Sequence, residues 1–375
     1  MRLLLFCDFD PGTINAFFKL LDNVHVEERV LIRKQNYGLG KFSSATNISK
    51  GYGTTIINLP LEVSRLEESV GLAMILSMLV YLIVATTVGT LEVIWHRLDA
   101  ILAVYGFPQG VVAVLVGRLT GRKVAILTDG GDIDVLLKRP LVRSIMLVVL
   151  RKASVVATQN NAKAGKLLSD GIKAEICTNY GVDTSRFRFI PPERKERASI
   201  LYVGRLSTEK SLDLLLKACY ALRQKGTRFK LLLVGDGPLR EQISETISRL
   251  KLAEFVQVDG FVPHHRIGEY FEKSAVFVLP SVREGLSSAL LEAMSSGCIC
   301  LVSDIPDNTE IIRDGYNGLI FHSKDERDLT KQLQRAISQP LERANVISFN
   351  ARNTVETRYS VKAVANSLDN FLSKL

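Results

Sequence analysis

Short apolar runs, each closed by a glycine, a proline or a polar turn, alternate with segments of helical periodicity along all 375 residues. This alternation is the strongest constraint on what the chain can become. A run that is apolar at nearly every position suits a strand buried on both faces, and such strands belong to parallel sheets, which need a helical crossover between successive strands. The chain therefore reads as α/β. In the first part the expected strands are 2–7, 29–32, 100–104, 123–127 and 155–158, with a helix over 108–120. In the second part they are 200–203, 230–234, 255–258, 276–279 and 299–302. Between them PPERKER, residues 191–197, breaks the periodicity and reads as a linker. A chain this long exceeds the size at which one hydrophobic core usually stops growing, so two domains are expected, 1–190 and 191–354.

Composition narrows the partners. Lysine and arginine number 48 against 39 aspartate and glutamate, a formal charge of +9. Residues 1–190 hold 22 basic and 16 acidic groups, a difference of +6, against +3 for the remainder. The excess thus leans toward the first part and favours an anionic partner such as a membrane surface or a lipid diphosphate. Nucleic acid is not expected, because no basic motif is interleaved with aromatics. Cys7, Cys177, Cys219, Cys298 and Cys300 are scattered through apolar runs and read as reduced core residues of a cytoplasmic protein. The apolar stretch in the opening MRLLLFCDFD is too short for a secretory signal and fits a first strand. His96, His264 and His265 lack metal-ligand spacing and read as surface residues, so no metal is expected.

The run VFVLPSVREGLSSALLEAMSSG, from Val276 to Gly297, carries the chemistry. A strand closed by Pro280 leads through a polar turn into a helix, with Glu284 just before that helix and Glu292 within it. A helix start presents unpaired N–H groups and partial positive charge to an anion such as a diphosphate, and Gly285, Ser287 and Ser288 are small enough to let it approach. At helical rise the two carboxylates stand ~12 Å apart, about the reach from a hexose across two phosphates to a ribose. Each can accept a pair of hydrogen bonds, as vicinal sugar hydroxyls require.

With seven residues between the two glutamates, this stretch resembles the E-x7-E motif of the family 4 retaining glycosyltransferases, and other segments follow that family's order. GRLSTEKSLDLLLKA places Arg205 and Lys210 after Gly204, LLLVGDGPLR places Gly235 after a strand, and VDGFVP contains Gly260, Phe261 and Val262. DIPDNTEIIRDGYNGLIF and YGVDTSRF are also similar to family segments. The resemblance implies a GT-B fold, in which two Rossmann-like, doubly wound parallel-sheet domains face a central cleft and the C-terminal helix, within 355–375, packs back on the first domain. It implies that Glu292 holds ribose hydroxyls, that Glu284 holds sugar hydroxyls, that Arg205 and Lys210 hold the diphosphate, and that Gly204, Gly235, Gly260, Val262, Gly285, Leu286, Ser287 and Ser288 help bind the donor. Phe261 is either at the nucleobase or in the core.

The resemblance further implies a metal-independent hexosyltransferase. A nucleotide diphosphate sugar would be its co-substrate, with a glycan or a polyprenyl or other lipid-linked acceptor, in the synthesis of an envelope polysaccharide or glycolipid. The alternatives are a non-catalytic nucleotide-sugar binder of a glycan-assembly complex and a nucleotide-sugar epimerase on the same fold. GDGP lacks the G-x-G-x-x-G spacing of a dinucleotide fingerprint, which weighs against a dehydrogenase.

The first part departs from the family pattern. After the first strand stands Asp10-Pro11-Gly12-Thr13, leaving Gly12 as the glycine that would approach the donor phosphates. In LTDGGDID, Asp129 occupies the position where many relatives carry a histidine and is a catalytic candidate, to orient a sugar hydroxyl or balance an oxocarbenium-like charge, and Asp132 reads as a helix N-cap. Residues 69–91 are uncharged and long enough to span a bilayer, yet they fall between strands of one sheet. A helix covering the sheet is expected, with a helix in the membrane interface as the alternative and a true span a distant third. Lys138, Arg139, Arg143, Arg151 and Lys152 flank a second apolar segment, and the two together favour peripheral attachment to the inner face of the plasma membrane.

Overall fold

In the computed structural model, residues 1–7, 28–34, 48–51, 54–59, 72–128, 130–134 and 136–375 are described. They form two compact units, one of residues 1–179 with 365–375 and one of residues 180–364. Gly12 and Asp129 lie outside the described residues.

The first unit contains strands β1 (Arg2–Phe6), β2 (Glu28–Lys34), β3 (Ile48–Gly51), β4 (Thr54–Leu59), β5 (Ala100–Val104), β6 (Lys123–Leu127), β7 (Val155–Thr158) and β8 (Glu175–Ile176). They build one sheet in the order β3-β4-β2-β1-β5-β6-β7-β8, parallel except for the antiparallel β3–β4 pair. Helices α1 (Leu72–Trp95), α2 (Gln109–Thr120) and α3 (Pro140–Lys152) supply crossovers on one face. Alternate strand residues pack with them: Leu4 and Phe6 from β1, Ile101 and Ala103 from β5, and Val124 and Ile126 from β6 join Tyr81, Val112 and Met146 in a single core. Gly89 of α1 makes this packing close, since a Cβ there would lie 2.7 Å from Phe6 and 3.1 Å from Val116.

The second unit has strands β9 (Glu196–Val203), β10 (Lys230–Val234), β11 (Val256–Gly260), β12 (Ser274–Leu279), β13 (Ile299–Ser303) and β14 (Leu319–Phe321). Its all-parallel sheet runs β11-β10-β9-β12-β13-β14, with the order reversing between β9 and β12. Side chains of period two serve two separate cores. Ile200, Tyr202, Leu231 and Leu233 pack beneath α4 (Leu212–Gln224), whereas Leu201, Val234, Phe277 and Leu279 pack beneath α5 (Ser288–Ser295) and α6 (Leu341–Arg358). Both faces are covered, which is why these strands read as unbroken apolar runs.

The edges are where sequence and structure diverge. β3, β4, β8 and β14 are short or polar and carry too little apolar pattern to stand out. Residues 191–197 are not a linker: Glu196 and Arg197 already belong to β9, and Lys195 is buried, its ammonium 2.6 Å from the Phe271 carbonyl oxygen. The division between units comes earlier, after Asn179. Residues 180–190 are tied into the second unit through Val182 N–H to the Tyr359 carbonyl at 2.7 Å and Ile190 N–H to the Ser296 carbonyl at 3.2 Å. The terminal helix α7 (Val361–Leu372) begins in the second unit, and residues 365–375 cluster with the first. All five cysteines are buried free thiols.

Candidate functional site

Reversal of strand order opens a crevice at the carboxyl ends of adjacent strands, and in the second unit the turns leaving β9, β10, β11 and β12 carry the residues singled out from the sequence. Three glycines make the close approach possible. The Gly204 N–H donates to the Val234 carbonyl at 3.0 Å and the Gly235 N–H to the Gly260 carbonyl at 2.7 Å, tying three strand ends together. A Cβ on Gly235 would sit 1.9 Å from the Gly204 oxygen, and its φ of 138° is one that L side chains rarely adopt. Backbone therefore lies directly on backbone here, leaving no side chain between the turns.

The Lys210 ammonium, in the turn after β9, donates to Glu284 Oε1 at 2.6 Å, and the Ser281 hydroxyl donates to the same oxygen at 2.5 Å. The Lys210 and Glu284 side chains are 17% and 7% exposed, so this ion pair is largely withdrawn from water. A backbone bond from Val282 N–H to the Glu209 carbonyl, at 2.9 Å, holds the two turns together. Beneath them, Ser303 donates its hydroxyl to the Ser281 carbonyl and Asn308 donates to the Ser303 carbonyl, so the turn rests on a buried polar floor. Oε2 of Glu284 receives no hydrogen bond from the protein among the described residues.

Glu292, one helical stretch further on, is 2% exposed. Its Oε1 accepts the Tyr180 hydroxyl, and His264 Nε2 lies 2.8 Å from the same oxygen. Burial, reinforced by the Glu292 carboxylate, pushes the Tyr180 phenol well above its usual range, so it remains a donor. Oε2 is again left without a protein donor among the described residues. Two buried carboxylates thus share one design, with one oxygen locked by protein donors and the other available.

Arg205 is exposed and forms no ion pair among the described residues. Burial opposes ionisation of Glu209, yet the Ser207 hydroxyl, the residue's own backbone N–H and the charges of Lys210 and Arg205 together hold its carboxyl below the usual range. Ser287 caps α5, its hydroxyl accepting the Leu290 N–H at 3.3 Å, and Ser288 opens the helix. Gly285 and Leu286 are partly exposed in the turn. Phe261 is 74% exposed, so it is no core residue, and Val262 beside it is half-buried.

Several expectations change here. His264 is exposed, as a surface residue should be, but also touches the Glu292 carboxylate, and Tyr180 reaches that carboxylate across 112 positions of sequence. Neither is marked by local spacing; only the strand order brings them in. In the first unit Asp132 is not an N-cap but lies within a short helix, its Oδ2 accepting the Gly106 N–H at 2.9 Å. Among the described residues no group of histidine, cysteine, aspartate and glutamate could hold a metal ion. A cavity of about 440 Å³ lies at the amino-terminal edge of the sheet, lined by Glu196, Lys230, Val256 and Ser274 among others, and shares no residue with the carboxyl-end group.

Residues 183–354 match the family model described as Glycosyl transferases group 1. The chain is 27% identical over 295 residues to the putative colanic acid biosynthesis glycosyltransferase WcaL of Escherichia coli, covering 74% of this chain and 71% of that protein. It is 29% identical over 219 residues to the amylovoran biosynthesis glycosyltransferase AmsK of Erwinia amylovora, covering 56% of this chain and 54% of that one. In structure it resembles Anabaena Alr3699/HepE, solved in complex with UDP, with a TM-score of 0.75 at 15% identity and full coverage of both chains. It also resembles the sucrose-phosphate synthase of Thermosynechococcus elongatus, with a TM-score of 0.78 at 15% identity. The fold is GT-B, and within it residues 183–354 are similar to the glycosyl transferases group 1 family.

Proposed function

We propose that this chain is a retaining, metal-independent glycosyltransferase that moves a hexose from a nucleoside diphosphate sugar to a glycan or lipid-linked acceptor in polysaccharide or glycolipid synthesis. The observation that carries the reading is the paired carboxylates, each with one oxygen anchored and the other open, beside Arg205 and the Lys210–Glu284 pair. Glu292 takes the ribose hydroxyls through its open oxygen, and Glu284 takes hydroxyls of the sugar. Arg205 and Lys210 receive the diphosphate, whose negative charge grows as the glycosidic bond breaks, and a cation fixed beforehand stabilises that charge without reorganising. Gly204 and Gly235 let the phosphates lie against main chain, and the cap at Ser287 directs free N–H groups of α5 outward. Phe261 stands exposed at the end of β11, where a nucleobase stacks. The names of the curated relatives, from colanic acid and amylovoran synthesis, support an envelope polysaccharide as the product.

The test is a thermal-shift panel of uridine, guanosine and adenosine diphosphate sugars, with and without EDTA, because a ligand of the native state raises its melting temperature by mass action. One base is expected to stand out, with no effect of chelator, and transfer to an acceptor pool to follow. Stabilisation without transfer to any acceptor identifies a binder, and an isomerised donor sugar identifies an epimerase. No stabilisation by any of the sugars removes the donor assignment.

A further inference from the structure

Among the described residues, one face of helix α1 is left exposed. Tyr81, Ala85, Gly89 and Val93, spaced four apart, are buried against the sheet. On the opposite side Leu76, Leu79, Ile83, Leu91, Ile94 and Trp95 are each at least half exposed, a stripe running ~28 Å along the helix. The stripe carries no charge. The hydroxyl of Thr87 within it is spent on the Ile83 carbonyl at 2.9 Å, and that of Thr90 on the Thr86 carbonyl at 2.8 Å, so neither seeks water. By length and composition Met78–Trp95 would cross a membrane, but the buried face holds it flat on the sheet.

The stripe continues onto the neighbouring helices. α2 and α3 contribute to the same core, so their outer sides face the same way as that of α1. There Leu119 is 68% exposed, Leu141 76% and Val148 55%. The charged residues of α2 and α3 are all cations: Arg118, Arg143, Arg151 and Lys152. Parallel crossovers run these helices opposite to the strands, so their C-termini gather at the amino edge of the sheet, the edge at which Lys123 starts β6 beside Ala100 of β5. Arg118, Arg122, Lys123 and Lys152 have no carboxylate partner among the described residues. Nearby acids are already engaged: Glu92 with His96 at 3.3 Å, Asp99 with Arg2 at 3.3 Å, and Asp170 with Arg143.

We infer that the outer side of α1, α2 and α3 is a docking surface for an anionic lipid bilayer. The α1 stripe lies in the plane of the headgroup and acyl boundary, the amphipathic ring of Trp95 sits at the interface, and the unpaired cations meet lipid phosphates. A water-exposed apolar stripe of this length, flanked by unpaired cations while its neighbouring acids are already paired, matches a negatively charged apolar medium in both polarity and sign. A neutral protein surface would leave the cations without a counterpart. This surface belongs to the first unit and stands independently of the donor site proposed in the second.

Trp95 is the single tryptophan of the chain, so its emission reports directly on this face. The full chain is titrated with vesicles of phosphatidylcholine mixed with phosphatidylglycerol, and separately with phosphatidylcholine alone, at physiological ionic strength. A shift of emission to shorter wavelength with co-sedimentation on the anionic vesicles, much weaker on the neutral ones and reduced by salt, is expected. The double variant Ile83→Glu, Leu91→Glu should bind vesicles about tenfold or more weakly, since it brings charge to the boundary. Arg122→Glu with Lys123→Glu should abolish the preference for anionic lipid, and both variants should keep the melting temperature and the donor thermal shift of the parent. Protein that stays in the supernatant with unshifted emission overturns the inference. So does a lipid-free, concentration-dependent blue shift with doubling of the mass in solution, which assigns the stripe to a second copy of the chain.

Discussion

Lys210 and Glu284 meet at 2.6 Å across 74 positions of sequence, and the contact joins the turns that leave two adjacent parallel strands, β9 and β12. The cation proposed above for the diphosphate and the carboxylate proposed for the sugar thus neutralise one another. On the proposed reading the sugar joins the open Glu284 oxygen while the pair persists, so neither side chain is left as a bare buried charge.

Removing one member of the pair should be worse than removing both. Lys210→Met leaves a 7% exposed carboxylate without its cation and should lower unfolding free energy by about 1–3 kcal/mol. The double variant Lys210→Met, Glu284→Gln should regain most of that loss, with both forms bound weakly if at all by donor. Urea unfolding of the four members of the cycle measures the coupling, and a coupling near zero shows that the contact does not persist in solution.

Tyr180→Phe deletes one donor to Glu292 and leaves the ring in place, and His264→Ala deletes the other. Each should weaken binding of the preferred donor by about fivefold to tenfold, as loss of a hydrogen bond to a charged group implies. Stability should change by less than about 1.5 kcal/mol. Isothermal titration with the donor separates the two effects, and parent-like affinity in both variants removes Tyr180 and His264 as positioning residues.

Gly235→Ala should be severe, because the new methyl meets the Gly204 oxygen at 1.9 Å in a backbone conformation with φ of 138°. Gly226 shares a positive φ, 72°, but has open space around its Cβ position. Gly226→Ala should therefore cost only about 1–2 kcal/mol from conformation alone. A larger loss at Gly235 than at Gly226, read from melting curves, is the expected order, and equal losses contradict the close backbone approach.

His322 and Asp304 pair at 3.0 Å at the ends of β14 and β13. The Asp304 hydrogen bond, followed by the Asp328 charge, raises the His322 pKa, and the His322 hydrogen bond heads the causes that lower that of Asp304. A raised folded-state pKa stabilises at low pH and ceases to as pH climbs through it, whereas a depressed carboxyl pKa stabilises at higher pH and ceases to as pH falls through it. The pair contributes only between the two values. Proton NMR of the His322 ring should give a midpoint above the ordinary histidine value, returning toward it in Asp304→Asn, and an unchanged midpoint in that variant shows the pair to be unformed.

Most of the central strands were legible from residues alone because a strand buried on both faces must be apolar throughout, and 100–104, 123–127, 155–158 and 230–234 coincide with β5, β6, β7 and β10. The glycines at strand ends and the two glutamates were legible for a related reason, since a strand-to-helix turn needs small residues and polar groups at set offsets. Three things only the tertiary structure decided. It brought Tyr180 and His264 to the Glu292 carboxylate, because hydrogen bonds between distant segments leave no periodic trace. It placed residues 180–197 in the second unit, because burial of Lys195 and backbone pairing outweigh the local signature of prolines and charges. And it divided the uncharged segment into a buried and an exposed face, because apolar residues all round a helix carry no mark of which side meets the sheet.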